Sequence, residues 1–454
     1  MTVSTAGDCL QVGRNSTAGD CLQVGRNSTA GDCLQVGRNS TVFEELESNV
    51  RGYCRAWPTV FDTASGAWLR DENGKDYLDF FAGAGALNYG HNNPVLKKAL
   101  IDYLAGDGIT HGLDMSTVAK RGLLETLRDT VFSPRGLDYK VQFPGPTGAN
   151  AVEATLKLAR KVTGRQGILN FTNAFHGMSL GALSVTGNAA KRAGAGVPLV
   201  HATPMPYDGY LDDADNLRWM RRAIDDPSSG LDMPAAVIVE TVQGEGGVNV
   251  AGAQWLRQLA ELCATRGIML IVDDVQMGCG RTGPFFSFEI AGITPDIVTM
   301  SKSIGGYGLP MALVLFKPEL DQWAPGEHNG TFRGNNPAFV TARVALEHYW
   351  SDSALEQAVL AKGERTALAL AEFAAAFPGV STRGRGRGLV HGLVFEEASR
   401  AGKVSQLAFE HGLLVETSGA ADEVVKLLPP LTITDDELDH GLALLAGAVE
   451  VICG

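Results

Sequence analysis

No run of apolar residues in this 454-residue chain approaches the roughly 20 needed to cross a bilayer. The opening stretch, MTVSTAGDCLQ, lacks the basic patch followed by an apolar segment that marks secretion. Both absences make a cytoplasmic protein with no membrane association the expectation. The seven cysteines include no CxxC pair, and Cys9, Cys21 and Cys33 belong to one repeated segment. Neither a zinc site nor a disulfide framework is expected, and reduced thiols suit the cytoplasm. Positive charge is also scarce: 38 Lys and Arg face 51 Asp and Glu, a net charge of −13. An acidic chain of this kind favours a small-molecule or protein partner over nucleic acid. The short TRGRGRGL segment (382–389) does not reverse that, because it lacks interleaved aromatics; a turn before a strand is expected there.

What is present begins with a perfect repeat. STAGDCLQVGRN occurs at 4–15, 16–27 and 28–39. Each copy has only Cys, Leu and Val as larger apolar residues, too few to build a core, so disorder is expected over 1–39. Globular texture starts near Thr41. Residues 43–57 read as a helix, and 66–81 as a hairpin with an Asn-Gly turn. From about 95 to 335, apolar runs at 139–143, 167–171, 235–240, 268–273, 296–300 and 312–316 alternate with helical stretches. That alternation predicts an α/β fold whose large domain has a mainly parallel sheet between helices. Residues 336–454 predict a smaller α+β domain, joined by an N-terminal segment, 40–94.

Ligands of such sheets bind beyond the carboxyl ends of the strands, and three strand ends carry chemistry here. Gly145, Thr147 and Gly148 follow a strand and open a helix, either as a simple turn or as backbone N–H groups placed to hold an anion. Asp273 closes an apolar strand, either as a helix cap or as the partner of a protonated ring nitrogen. Lys302 closes the next, among Ser301, Ser303, Gly305 and Gly306. It is either half of a structural salt bridge or an amine nucleophile made less basic by burial. An anion cradle, a ring-nitrogen acid and a nucleophilic lysine together describe the needs of pyridoxal 5'-phosphate.

Six ordered segments then carry a resemblance over residues 41 to 454. They are FHG (175–177), ETVQGEGG (240–247), DDVQMGCGRTG (273–283), SKSIGGYG (301–308), HNGTFRGN (328–335) and PPL (429–431). Together they resemble the class III, or ω-amino-acid, aminotransferases of pyridoxal-phosphate fold type I, the aspartate-aminotransferase-like fold. The resemblance implies that Lys302 bonds the cofactor and shuttles the proton, and that Asp273 keeps its ring nitrogen protonated. It implies that Gln276 lies near the ring hydroxyl, that Phe175 stacks on the ring with His176 beside it, and that Thr147, Gly148 and Ala149 hold the phosphate. Thr331 would reach the phosphate of a neighbouring subunit, making the active unit a homodimer, or a higher homo-oligomer, with composite sites. Glu240 and Gln243 are expected to support the pocket. Glu245 would be the family's gating acid, masking Lys426 or Arg385, the candidate cations for a substrate carboxylate.

The chain departs from the family at Asn150, where a glutamate is usual, and at Met178 and Lys426, where arginines are common. Further segments, AGALNYGHNNP, HGLDMS, MPYDGY and KLLPPLTIT, resemble the members that serve ectoine synthesis. For those, L-glutamate gives its amine and leaves as 2-oxoglutarate, and L-aspartate 4-semialdehyde accepts it. The alternatives are another ω-aminotransferase, acting on ornithine or 4-aminobutyrate, an aminomutase, or a non-catalytic subunit of the same fold. Deleting residues 1–39 is expected to leave turnover within about twofold of the full chain, because a segment unable to form a core contributes no site. Steady-state assay of the truncated protein checks this.

Overall fold

Short runs of Val, Ile and Leu, too short for helices and apolar on both faces, must pair side by side and be covered above and below. The computed structural model describes residues 40–211, 215, 217–377, 380 and 385–454. The repeats at 1–39 lie outside the described residues. Seven strands form the central sheet: β1 Lys140–Gln142, β2 Ile168–Phe171, β3 Ala202–Met205, β4 Ala236–Val239, β5 Met269–Asp273, β6 Ile297–Met300 and β7 Leu313–Phe316. Their order across the sheet is β1-β7-β6-β5-β4-β2-β3. Four pairings are parallel, and the two made by β7 are antiparallel.

Six of these strands occupy the expected runs. The seventh, β3, reads ATPM and carries Pro204, which argues against a strand in the middle of a sheet. It sits at the edge, where one side of the backbone needs no N–H.

Alternation along the strands sorts the side chains into two cores. Val237, Val239, Leu270, Val272, Val298 and Leu315 join one, with Trp255, Leu256 and Leu259 of the helix Ala253–Arg266. Ala236, Ile238, Ile271, Ile297 and Val314 join the other, with Ala151, Val152 and Leu156 of the helix Gly148–Thr163. The sheet is thus covered on both faces.

Two four-stranded sheets, a two-stranded pair (Val242–Gln243 with Asn249–Val250) and further cores complete residues 49–454, which form one compact unit. One sheet holds Phe61–Ser65, Trp68–Asp71, Asp76–Asp79 and Leu413–Leu414. The expected hairpin is therefore present, with Gly74 at φ 84° in its turn. The other is antiparallel, with Arg385–Arg387, Val390–Val394, Val424–Leu427 and Glu416–Ser418 in that order.

Two expectations need correction. Residues 43–57 are not one helix. Helical residues Ser40–Leu46 and Tyr53–Ala56 are separated by ESNVRG, whose Ser, Asn and Gly favour turns. Within 382–389 the expected turn before a strand is present at Gly388–Leu389, ahead of Val390–Val394, but Arg385–Arg387 is itself a strand; residues 382–384 lie outside the described set. Among the described residues no helix is long and apolar enough to cross a membrane.

Arg281, fully buried, ties the loop after β5 to the smaller sheets. It donates to the Leu389 and Pro429 carbonyls at 2.8 and 2.6 Å and to Asn88 Oδ1 at 2.6 Å. Arg281→Met should leave these buried acceptors unpaired and lower stability by about 3 kcal/mol or more. Urea denaturation of the two proteins measures the difference.

Candidate active site

Adjacent strands β5 and β6 end beside one another, with Asp273 paired in register to Thr299. The residues at and just past their ends share one cavity of about 200 Å³, lined among others by Asp273, Lys302, Phe175, His176, Gly148 and Glu245. The Asp273 carboxylate is positioned from three sides. Its Oδ1 accepts from the Val275 N–H and the Thr299 hydroxyl, both at 3.1 Å, and its Oδ2 from His176 Nδ1 at 2.6 Å. Burial alone would pull His176 down, but its hydrogen bond to Asp273 and the charges of Asp273 and Glu240 leave it above the ordinary histidine value. Its Nε2 is buried and has no hydrogen-bond partner among the described residues. His176 thus orients the acid rather than merely accompanying Phe175.

Lys302 follows β6 in left-handed backbone, at φ 54°. Such a conformation is strained for a residue with a Cβ and concentrates at functional sites. Its Nζ donates to the Ala84 carbonyl at 2.7 Å. Burial lowers its pKa, with Glu245 opposing and Lys426 reinforcing the shift. The turn after Lys302 is stapled to the loop that supplies Ala84: Ser303 Oγ donates to the Gly85 carbonyl at 2.8 Å and accepts from the Asn88 N–H. That loop is unusual too, with Ala82, Gly83 and Ala84 all at positive φ.

The helix Gly148–Thr163 points its N-terminus into the cavity through Gly148 and Ala149. A Cβ on Gly148 would meet Val275 Cγ1 at 2.9 Å, so only glycine lets the helix approach this closely. Thr147 is its N-cap, and Asn150 completes a reciprocal capping box with it. The asparagine that departs from the family pattern therefore does the same capping work. Phe175 lines the cavity, its N–H held by Glu240 Oε2 at 2.9 Å. Gln243 donates to the Thr172 carbonyl at 2.7 Å, a supporting contact.

Beyond Lys302 lies a second group of charges. Glu245 Oε1 accepts from Lys426 Nζ at 2.7 Å and from Gln276 Nε2 at 3.1 Å, and Gln276 Nε2 also reaches the Ala84 carbonyl at 3.0 Å. Lys426 is completely buried and lies 3.0 Å from Glu416 Oε1 on its other side. Burial alone would lower Lys426, but Glu245 and Glu416 hold it above the ordinary lysine value. Burial alone would raise Glu245, yet Lys426 and Lys302 keep it well below the usual carboxylate range.

Of the two candidate cations, Glu245 pairs with Lys426. Arg385 Nη1 instead donates to the Gly247 carbonyl and Asn249 Oδ1, at 3.0 and 2.9 Å. Thr331 is exposed and does not line this cavity, nor does Thr147. Two participants were missed from the sequence. The only signal for the Ala84 carbonyl was a run of small residues, AGAG, and Glu416 became visible only when strand pairing set it opposite Lys426. Among the described residues, no cluster of three or more His, Cys, Asp or Glu could hold a metal.

Residues 53–449 match the family described as aminotransferase class-III, and the chain belongs to that family. It is 80% identical over 413 residues to a diaminobutyrate--2-oxoglutarate transaminase of Nocardia farcinica, covering 91% of this chain and 94% of the relative. A Streptomyces avermitilis protein of the same name is 66% identical over 410 residues, covering 90% and 97%. Among solved structures the chain resembles the ornithine aminotransferase of Toxoplasma gondii crystallised with oxidised glutathione, which has pyridoxal phosphate at partial occupancy in its active site. The TM-score is 0.80 at 26% identity, over 91% of this chain and 93% of that one.

Burial pushes the Glu240 carboxyl up to about 8, with His176 opposing and Asp273 adding to the shift. Between its ordinary value and about 8, the folded protein holds a proton that the unfolded chain has released. Stability must therefore fall as pH rises through that window, by at most about 1.4 kcal/mol per unit from this group. Glu240→Gln keeps an acceptor for the Phe175 N–H and should flatten this slope. Urea denaturation of both proteins from pH 5 to 8 tests it.

Proposed function

We propose that this class III aminotransferase moves the amino group of L-glutamate to L-aspartate 4-semialdehyde, giving L-2,4-diaminobutyrate and 2-oxoglutarate, with pyridoxal phosphate held in the cavity at the ends of β5 and β6. One observation carries the reading: Lys302 and Asp273 enter the same cavity from adjacent strand tips, beside an open helix N-terminus. Relatives at 80% and 66% identity bear the name of the diaminobutyrate reaction.

The cavity fits the cofactor. It combines an amine, an oriented carboxylate, the Phe175 ring and a helix start stripped of side chain at Gly148. Helix geometry leaves the first N–H groups without intrahelical acceptors, ready for a phosphate. Gln276 sits at the ring's edge in this reading. When bound, pyridoxal phosphate supplies an aldehyde for the amine and a ring that takes up the electrons released when a C–H bond breaks.

The protein's share is positional and electrostatic. Asp273, steadied by His176 and Thr299, would keep a proton on the ring nitrogen. Lys302 would hold the cofactor's aldehyde and would move the proton at its Nζ, a role suited to an ammonium weakened by burial. Glu245 covers Lys426 while a far amine reacts. It withdraws when glutamate brings a second carboxylate, which Lys426 then receives.

The amino acceptor in this reading is L-aspartate 4-semialdehyde, and 2-oxoglutarate is the co-product, in a cytoplasmic enzyme. The active unit is a homodimer in which Thr331 reaches the partner's phosphate site. An exposed apolar patch supports this: Phe332 packs edge-on to His111, and Ile109, Leu113 and Met115 are exposed nearby in sequence. Residues 95–335 form the large domain of this reading and 336–454 the small one, with 40–94 attached to it. The pairing of Leu413–Leu414 with Asp76–Asp79 supports that attachment.

Purified protein should be yellow and lose its colour with borohydride. Lys302→Ala should fold yet lose turnover by about a thousandfold or more, as expected when the covalent amine is removed. Absorbance spectra with steady-state assays on diaminobutyrate, ornithine and 4-aminobutyrate check both the chemistry and the substrate. Appreciable turnover by the variant would remove Lys302 from this role.

A further inference from the structure

Lys426 stands between two carboxylates that are built very differently. Glu245 lies in the glycine-rich loop QGEGG, with Gly247 at φ 111°, and its side chain keeps 19% of its exposure. Glu416 lies on a strand, is 6% exposed, and pairs directly across the sheet with Lys426. One carboxylate is thus carried by a loop and keeps some contact with water, whereas the other is fixed within a sheet.

A lysine also poses a problem that an arginine would not. Its ammonium is a point charge on a flexible stem, without the rigid fork that keeps a guanidinium in register. Fully buried, it becomes an uncompensated cation as soon as its partner leaves, a costly state. The opening of Glu245 would create that state unless a second anion remained.

We infer that Glu416 is the fixed counter-ion of Lys426, a positioning residue that keeps this lysine charged and in place when Glu245 withdraws, so that it can receive the second carboxylate of glutamate or 2-oxoglutarate. The inference rests on the gating role proposed for Glu245. Removing Glu245 should unmask Lys426 and favour glutamate over the diamine. Removing Glu416 should make the open state costly, strengthen the hold of Glu245 and disfavour glutamate. The two carboxylates touch the same ammonium, yet their loss should shift substrate preference in opposite directions.

The test compares kcat/KM for L-glutamate with kcat/KM for L-2,4-diaminobutyrate in the holoenzyme, its Glu245→Gln variant and its Glu416→Gln variant. The glutamate-to-diamine ratio should rise in the first variant and fall in the second by roughly 10- to 100-fold, the scale of one lost charged hydrogen bond. Calorimetric titration with 2-oxoglutarate should show weaker binding to Glu416→Gln in parallel. If Glu416→Gln does not fold, Glu416→Asp, which keeps the charge but shortens its reach, should still lower the ratio by at least about threefold. A ratio that Glu245→Gln leaves unmoved overturns the gating reading and the inference with it. A ratio that moves in Glu245→Gln but stays within about threefold in the Glu416 variants overturns the inference alone.

Discussion

Two lysines share the charged interior at the heart of this protein, and their roles demand opposite treatment. In the proposed function Lys302 must part with a proton, whereas Lys426 must keep its charge. Both are removed from water, which weakens any ammonium. What separates them is the company they keep. Lys302 meets the neutral carbonyl oxygen of Ala84 at 2.7 Å, whereas Lys426 meets the carboxylates of Glu245 and Glu416 at 2.7 and 3.0 Å. Gln276 joins the two environments, donating to both the Ala84 carbonyl and Glu245. Carboxylate placement is therefore the constraint from which the rest of the site follows.

The fold meets this constraint by bringing together segments remote in sequence. β5 and β6 deliver Asp273 and Lys302 because parallel neighbours end at the same edge of a sheet. The left-handed stretch at 82–84 delivers a backbone oxygen, and the antiparallel pair Glu416–Ser418 and Val424–Leu427 delivers the second ion pair. Arg281 fastens the loop after β5 to the Leu389 and Pro429 carbonyls, which flank strands of that same sheet, so the two charge groups share a common frame. Asp273 gains a buried histidine as its orienting partner, which ties the acid to the loop that also carries Phe175.

Much of this was legible from local pattern. Apolar runs located six of the seven central strands; β4 to β7, covered on both faces, read as near-continuous Val, Ile and Leu. The exception, β3, tolerates Pro204 because an edge strand leaves one side unpaired. Residues 43–57 misled because their apolar spacing is helical while Ser48, Asn49 and Gly52 between the two short helices favour turns. The choice between Lys426 and Arg385 as partner of Glu245 could not be made from spacing. Both lie on strands of one antiparallel sheet, and only strand register turned one toward Glu245 and the other toward the Gly247 carbonyl.

By itself the sequence determined the class of chemistry. Lys302, Asp273 and the glycine-opened helix announce themselves because strand ends and helix starts are local features with local signatures. Tertiary structure alone decided which polar groups stand together, with the Ala84 carbonyl beside Lys302, His176 beside Asp273 and Glu416 beside Lys426. Those partners lie between 10 and 218 residues apart in the chain. Electrostatic energy depends on distance in space and on exclusion of water, and neither quantity is written in the order of residues.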